Sequence, residues 1–134
     1  MASYLLDSNH ASPLVTLHHP LRKQILGSLQ DGNTFFICVP VLSETVFGLS
    51  LLPRAAQNLA EWTAIRTKVP CLIVDEDDAY FAAQLQVGLR QRGRRLETVD
   101  ALIASIALRY DLVLLTTDKD FSAIPDLKRE NWLV

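Results

Sequence analysis

Apolar residues along the chain form short continuous runs, and longer stretches with helical spacing separate these runs. The runs predict buried strands at residues 3–7, 34–39, 71–74 and 112–118, with a short last strand at 132–134. The intervening stretches predict helices over residues 21–32, 40–52, 54–67, 75–92 and 97–111. Strands that are apolar throughout and separated by helices are typical of a parallel sheet covered on both faces. The predicted fold is therefore a three-layer α/β/α sandwich around a mostly parallel sheet of four to five strands.

Composition limits the classes of protein that fit this pattern. The chain has 134 residues, 49% hydrophobic and 21% charged, without a repeat or linker, which predicts one domain over residues 1–134. It has neither the roughly 20-residue apolar run of a membrane helix nor a secretory signal. Cys38 and Cys71 lie in separate apolar runs, which favours reduced thiols and a cytoplasmic location. The net charge of −2 excludes strong overall basicity but leaves room for a local nucleic-acid-binding patch.

Acidic residues recur where the predicted strands end. Asp7 and Asp118 follow the first and fourth strands, and Glu44 and Asp100 fall near the starts of two helices. Open parallel sheets place their ligand sites beyond the carboxyl ends of the strands. We therefore expect these four carboxylates to face one edge of the sheet.

Each of these acids also has a simpler explanation, because acidic side chains are favoured in turns and near helix N-termini. Thr98 is the expected N-cap beside Asp100, and Glu44 is expected to be partly buried on an apolar helix. Together, however, the acids would repel one another by about 4 kcal/mol per pair at 4 Å, and only Lys119 is basic nearby. Oxygen ligands suit Mg²⁺ or Mn²⁺, so the sequence predicts a site for one or two such ions.

Other residues with chemical potential give weaker signals. The acidic run at residues 75–78 radiates around the start of a helix, so we expect it to cap that helix. His10, His18 and His19 lack partners at zinc spacing and are expected at the surface, although His10 is close enough to Asp7 to touch a substrate. The chain also lacks a phosphate-binding glycine loop and a nucleophile elbow.

One short stretch, "RQRGRR", carries a local positive charge just upstream of Asp100. Two interpretations of its arginines remain open: a solvated helix end favoured by the helix dipole, or a rim that binds RNA phosphates beside the metal pocket. The residues concerned are Arg90, Arg92, Arg94 and Arg95.

The acidic stretches "LLDSN", "SETVFGL", "DALIASIA" and "LLTTDKDF" occur in an order and spacing that resemble PIN-domain proteins, and more narrowly the VapC toxins of bacterial toxin–antitoxin pairs. The resemblance covers nearly the whole chain. It implies that Asp7, Glu44, Asp100 and Asp118 ring a Mg²⁺ or Mn²⁺ site that cleaves RNA. Ser8 stands where the family usually has threonine, and Asp120 matches a commonly acidic position. Ser8, Asn9, Thr116 and Asp120 are expected to support the ligands.

The resemblance also implies a homodimer and a small antitoxin protein whose tail occupies the pocket. Activated water would attack the scissile phosphate and leave 5′-phosphate and 3′-hydroxyl ends. Two alternatives stay open: a non-catalytic PIN module that binds RNA or protein, and a metal-dependent DNA nuclease. The second usually needs helical insertions for branched DNA, and this chain has no room for them.

Overall fold

The computed structural model describes residues 1–134. Its strands are β1 (Ser3–Leu6), β2 (Thr34–Cys38), β3 (Cys71–Leu72), β4 (Val113–Leu115) and β5 (Arg129–Glu130). Its α-helices are α1 (Ser8–Ala11), α2 (Pro20–Gln30), α3 (Val39–Ser50), α4 (Ala55–Ile65), α5 (Glu76–Gln91) and α6 (Thr98–Arg109). Every pair of neighbouring strands is parallel, and the strand order is β3-β2-β1-β4-β5.

The position of β1 in the middle of the sheet explains the layers. From β1 the chain moves outward through β2 to β3, and then crosses back to β4 and β5 on the other side. Right-handed crossovers in opposite directions place helices on both faces of the sheet. The strands are correspondingly apolar, and Leu5, Phe35 and Leu114 are completely buried. The predicted α/β/α sandwich with a parallel sheet is confirmed.

The ends of several elements differ from the prediction. The strand predicted at residues 71–74 is ordered as a strand only at Cys71–Leu72. Helix α2 ends at Gln30, and Gly32 continues the turn with a φ of 94°, a conformation that glycine adopts without steric cost. Glu97 rather than Thr98 is the N-cap of α6, and its side chain makes no capping hydrogen bond. None of the helices combines the length and the apolar character needed to cross a membrane.

The prediction of a last strand at residues 132–134 is wrong. The fifth strand lies earlier, because the backbone N–H groups of Leu114 and Thr116 donate to the carbonyls of Lys128 and Glu130. Beyond that strand the chain turns, and the Trp132 ring packs edge-on against Tyr4 and Phe35, with centroids 5.0 and 5.7 Å apart. Trp132 therefore anchors the C-terminal segment by aromatic packing instead of strand pairing.

Candidate active site

Asp7 is the innermost acid of the site. It follows β1 directly, is only 5% exposed, and caps α1 by accepting a hydrogen bond from the Ser8 backbone N–H at 2.8 Å. Its second carboxylate oxygen accepts from the Thr116 hydroxyl at 2.7 Å and from the Asn9 amide at 3.3 Å. Burial raises the pKa of Asp7, and the Asp118 charge adds to that rise, while the three hydrogen bonds oppose it. Asp7 is thus held in one orientation by its neighbours.

Three further acids form the tightest cluster. One carboxylate oxygen from each of Asp100, Asp118 and Asp120 lies within 4.8 Å of the other two. Asp118 caps a short 3₁₀ turn, accepting from the Asp120 backbone N–H at 2.8 Å, and its own N–H donates to Thr116. Asp100 comes from the first turn of α6. The start of α6 and the 3₁₀ turn that follows β4 therefore bring these three side chains together.

The pKa of Asp100 rises to about 7. Partial burial is the main cause, followed by the charges of Asp118, Asp7, Glu44 and Asp120, in that order. The charges of the other four acids therefore all affect the ionisation of Asp100, although Asp7 and Glu44 lie outside the tightest cluster.

Glu44 differs from the expectation of partial burial, because its residue surface is exposed. Helix α3 is not enclosed on all sides, and Phe47, one turn further on, is 67% exposed. Partial desolvation and then the Asp7 charge still raise the pKa of Glu44, so its carboxyl group lies near the site. Glu44 therefore resembles Asp120, which is also exposed to solvent, rather than the buried Asp7.

No basic side chain neutralises these acids. The ion pairs in the structure join Arg22 to Glu61, Arg95 to Glu97, Arg109 to Asp75 and Asp78, and Lys128 to Asp111. An all-oxygen donor set without a compensating cation fits a hard divalent ion such as Mg²⁺ or Mn²⁺, which takes carboxylate ligands and keeps bound water. The side chains present are therefore suited to the ion that the sequence predicts.

Three of the four residues expected to support the ligands make hydrogen bonds to Asp7. Ser8 contacts Asp7 through its backbone N–H, whereas Asn9 and Thr116 use their side chains. Asp120, expected to have a supporting role, stands in the acidic cluster itself. Asp120 lies in a five-residue 3₁₀ segment, which is too short to give a periodic signal in the sequence.

His10 was expected at the surface, and this expectation is wrong. It is completely buried, and both of its ring nitrogens make hydrogen bonds, to Asn9 and to the Trp132 backbone. Its place on the inward side of α1 follows from the four-residue helix that begins directly after Asp7. That helix is too short to show the amphipathic pattern that would have predicted burial.

The arginine stretch lines a cleft at the end of α5. The cleft has a volume of about 650 Å³ and is bounded by Gln86, Arg90, Gly93, Arg94, Arg95, Leu96, Glu97 and Thr98. Thr98, the last residue of this lining, stands two positions before Asp100 in the first turn of α6. Arg92 points elsewhere and donates to the Ala123 carbonyl at 3.2 Å. The four arginines are solvent-exposed.

The acidic run at residues 75–78 behaves as expected. Asp75 and Asp78 form a capping box at the start of α5, each accepting from the other's backbone N–H at 3.0 Å. Arg109 pairs with both carboxylates, at 3.1 and 2.8 Å. Asp75 and Asp78 thus have hydrogen-bond and ion-pair partners within the protein, whereas the cluster around Asp100 has no basic partner.

Similarity to known proteins agrees with this geometry. The PIN domain family model matches residues 4–127. Ribonuclease VapC2 of Rickettsia felis is 28% identical over 130 residues, covering 96% of this chain and 97% of that protein. The structure of VapBC2 from Rickettsia felis, bound to a DNA fragment from its promoter, has a TM-score of 0.84 and 27% identity, covering 97% of this chain and 98% of that one.

VapBC-5 from Mycobacterium tuberculosis has a TM-score of 0.66 and 25% identity, and 98% of each chain is covered. Both solved relatives are toxin–antitoxin proteins of the VapBC type. The resemblance inferred from the four acidic stretches is confirmed: this chain belongs to the PIN-domain family.

Proposed function

We propose that this protein is a metal-dependent endoribonuclease that hydrolyses RNA phosphodiester bonds and acts as the toxin of a toxin–antitoxin pair. The observation that carries the proposal is the cluster of Asp100, Asp118 and Asp120 beside the buried Asp7, without a basic residue to neutralise it. Membership of the PIN-domain family and similarity to ribonuclease VapC2 support the reaction class. The whole chain, residues 1–134, would act as one domain.

Asp7, Glu44, Asp100 and Asp118 are the proposed ligands of one or two Mg²⁺ or Mn²⁺ ions, and the position of Asp120 supports adding it to this set. A bound divalent ion lowers the pKa of water and offsets charge on a phosphoryl oxygen. The role of the protein is to hold the ligands. Thr116 and Asn9 fix one oxygen of Asp7, while the Ser8 N–H fixes the other.

Water is the expected nucleophile, because the site presents carboxylates and no free histidine or cysteine. Both nitrogens of His10 are occupied, so that residue is unavailable as a general base. Burial raises the pKa of the Cys38 thiol to about 12, which keeps that side chain protonated and unreactive. In-line attack by water would leave a 5′-phosphate and a 3′-hydroxyl.

The proposal is tested by incubating purified protein with a mixed cellular RNA pool in Mg²⁺, Mn²⁺ or EDTA, with matched DNA oligonucleotides alongside. We expect discrete RNA fragments with 5′-phosphate ends only when metal is present, and end sequencing would identify the target. Intact RNA under every condition, from folded protein, would favour the non-catalytic binding module. Cleavage confined to DNA would favour the DNA nuclease.

The exposed arginines are proposed to bind the RNA backbone. Replacing Arg94 and Arg95 together with glutamine should weaken RNA binding and reduce the slope of log affinity against log salt by about 0.7 for each lost phosphate contact on single strands. Filter binding or fluorescence anisotropy at several salt concentrations measures this slope. The double variant Lys23→Gln with Lys68→Gln makes the same charge change on other elements and should keep the wild-type slope. Equal slopes in all three proteins would contradict the assignment.

Two protein partners are proposed as well. The relatives solved as VapBC complexes support a cognate antitoxin for this chain. An apolar face at the end of α3 supports a homodimer, because Phe47, Leu51 and Leu52 are 67%, 70% and 51% exposed. Reduced Cys38 and Cys71, which form no disulfide, fit the proposed cytoplasmic location.

A further inference from the structure

His10 is a buried titratable residue that the proposed reaction does not use. It has no exposed surface, yet each ring nitrogen has a polar partner. Nδ1 lies 2.7 Å from Oδ1 of Asn9, and Nε2 accepts a hydrogen bond from the Trp132 backbone N–H at 3.1 Å. The ring therefore bridges the C-terminal segment and the residue that contacts Asp7.

Two backbone N–H groups determine which nitrogen of the His10 ring carries the proton. The Trp132 N–H can only donate, so Nε2 must be unprotonated. At the other end the Thr117 N–H donates to Oδ1 of Asn9 at 3.3 Å, which identifies that atom of the amide as the oxygen. The oxygen can only accept, so Nδ1 of His10 must carry the proton. Both ends thus require the same neutral, Nδ1-protonated histidine.

The orientation of the Asn9 amide follows from this arrangement. With its oxygen towards His10 and Thr117, its NH₂ group faces the site. There it lies 3.3 Å from Oδ2 of Asp7 and 3.4 Å from the Thr116 hydroxyl. A flipped amide would place an oxygen against the Asp7 carboxylate and would lose both bonds on the His10 side.

We propose that His10 is a positioning residue for the candidate active site, linking the anchored C-terminal segment at Trp132 through the Asn9 amide to the orientation of Asp7. The inference rests on the proposed function, because it assigns a role to Asp7 as a ligand. The C-terminal segment is itself held in place, because the Trp132 ring packs against Tyr4 and Phe35. Burial lowers the pKa of His10 to about 4, in agreement with a neutral ring.

Nitrogen NMR of the metal-free protein at neutral pH tests the bridge, and the tautomer of His10 is measured on the wild type alone. We expect Nδ1 of His10 to have the chemical shift of a protonated ring nitrogen and Nε2 that of an unprotonated one. The opposite tautomer or a doubly protonated ring would overturn the proposal. The Asn9 side-chain amide should also shift when His10 is replaced with phenylalanine, and an unchanged resonance would count against the bridge.

The variant His10→Phe keeps an aromatic ring and removes both nitrogens. Because supporting partners of metal ligands typically contribute 10–100-fold to affinity or activity, we expect Mn²⁺ binding by calorimetry and RNA cleavage to fall at least about tenfold. His19→Ala is the control, since the His19 side chain caps α2 by accepting from the Leu21 N–H and makes no hydrogen bond to the acids. It should lower the melting temperature but keep metal affinity and the cleavage rate of the remaining folded protein.

The two proposals fail in different ways. Wild-type protein that neither binds Mn²⁺ nor cuts RNA would overturn the proposed function. The His10 tautomer and the Asn9 resonance in metal-free protein would still test the hydrogen-bonded bridge. Active wild-type protein with a folded His10→Phe variant of equal metal affinity and rate would overturn the positioning role alone. A fall in both quantities for His10→Phe, with none for His19→Ala, would support it.

Discussion

Replacing Asp100 with asparagine is expected to remove most RNA cleavage while leaving the fold intact. The substitution keeps the size of the side chain but removes a negative charge from the centre of the acidic cluster, where Asp118 and Asp120 lie within 4.8 Å. Charge stabilisation by a bound metal ion contributes several kcal/mol to a hydrolytic transition state. Losing about 3–4 kcal/mol of it would slow cleavage about 10²–10³-fold. Single-turnover cleavage of the identified RNA measures this directly.

The matched control for this experiment is Asp77→Asn. It makes the same chemical change in the acidic run at the start of α5, where Asp77 is exposed and stands outside the cluster. We expect it to cleave RNA at the wild-type rate. If Asp100→Asn also retained that rate, with its fold verified by circular dichroism, the acidic cluster would not be the catalytic site.

The general position of the site could be predicted from the sequence because it depends on topology. Asp7 comes directly after β1 and Asp118 three residues after the end of β4, and these two strands are neighbours in the sheet. The carboxyl ends of parallel strands necessarily meet at one edge. Asp100 needs only the prediction of a helix start, which a long periodic segment provides. These three residues follow from patterns that extend over many positions.

The parts that could not be predicted depend on single turns and on contacts between distant residues. Asp120 enters the cluster through a short 3₁₀ turn, and His10 is buried by a four-residue helix, so neither shows periodicity. The fifth strand contains only Arg129 and Glu130, both exposed, and it forms because β4 offers free backbone groups. Its side chains give no apolar signal of the kind that identified the central strands.

Our last prediction is that, without metal, the Asp100→Asn variant is more stable than the wild type by an amount that grows as the pH rises. The pKa of Asp100 is about 7 in the folded protein and 3.8 without the fold, so folding favours its protonated form. This contribution to stability is fully present below pH 3.8 and is lost as the pH rises through about 7. Asparagine cannot ionise, so the variant avoids this loss.

Comparing the two proteins isolates Asp100 from the other titrating groups. His10 acts in the opposite direction, because its pKa is lowered to about 4 and its neutral form is lost as pH falls. It is present in both proteins, and its effect therefore cancels in the difference. Melting temperatures measured in EDTA should nearly coincide at pH 4 and separate progressively up to about pH 8.

Because Asp100 is partly exposed to solvent, the expected difference in the free energy of unfolding between the two proteins is modest. Three pH units correspond to about 4 kcal/mol for a fully buried group, but Asp100 is partly exposed, which reduces the expected gain to on the order of 1–2 kcal/mol. That corresponds to a rise of about 3–10 °C in melting temperature. Adding Mg²⁺ or Mn²⁺ at pH 8 should stabilise the wild type more than the variant and narrow the gap, because the ion replaces repulsion with attraction. If the difference in melting temperature between the two proteins depended neither on pH nor on metal, the Asp100 carboxylate would not be part of a metal site.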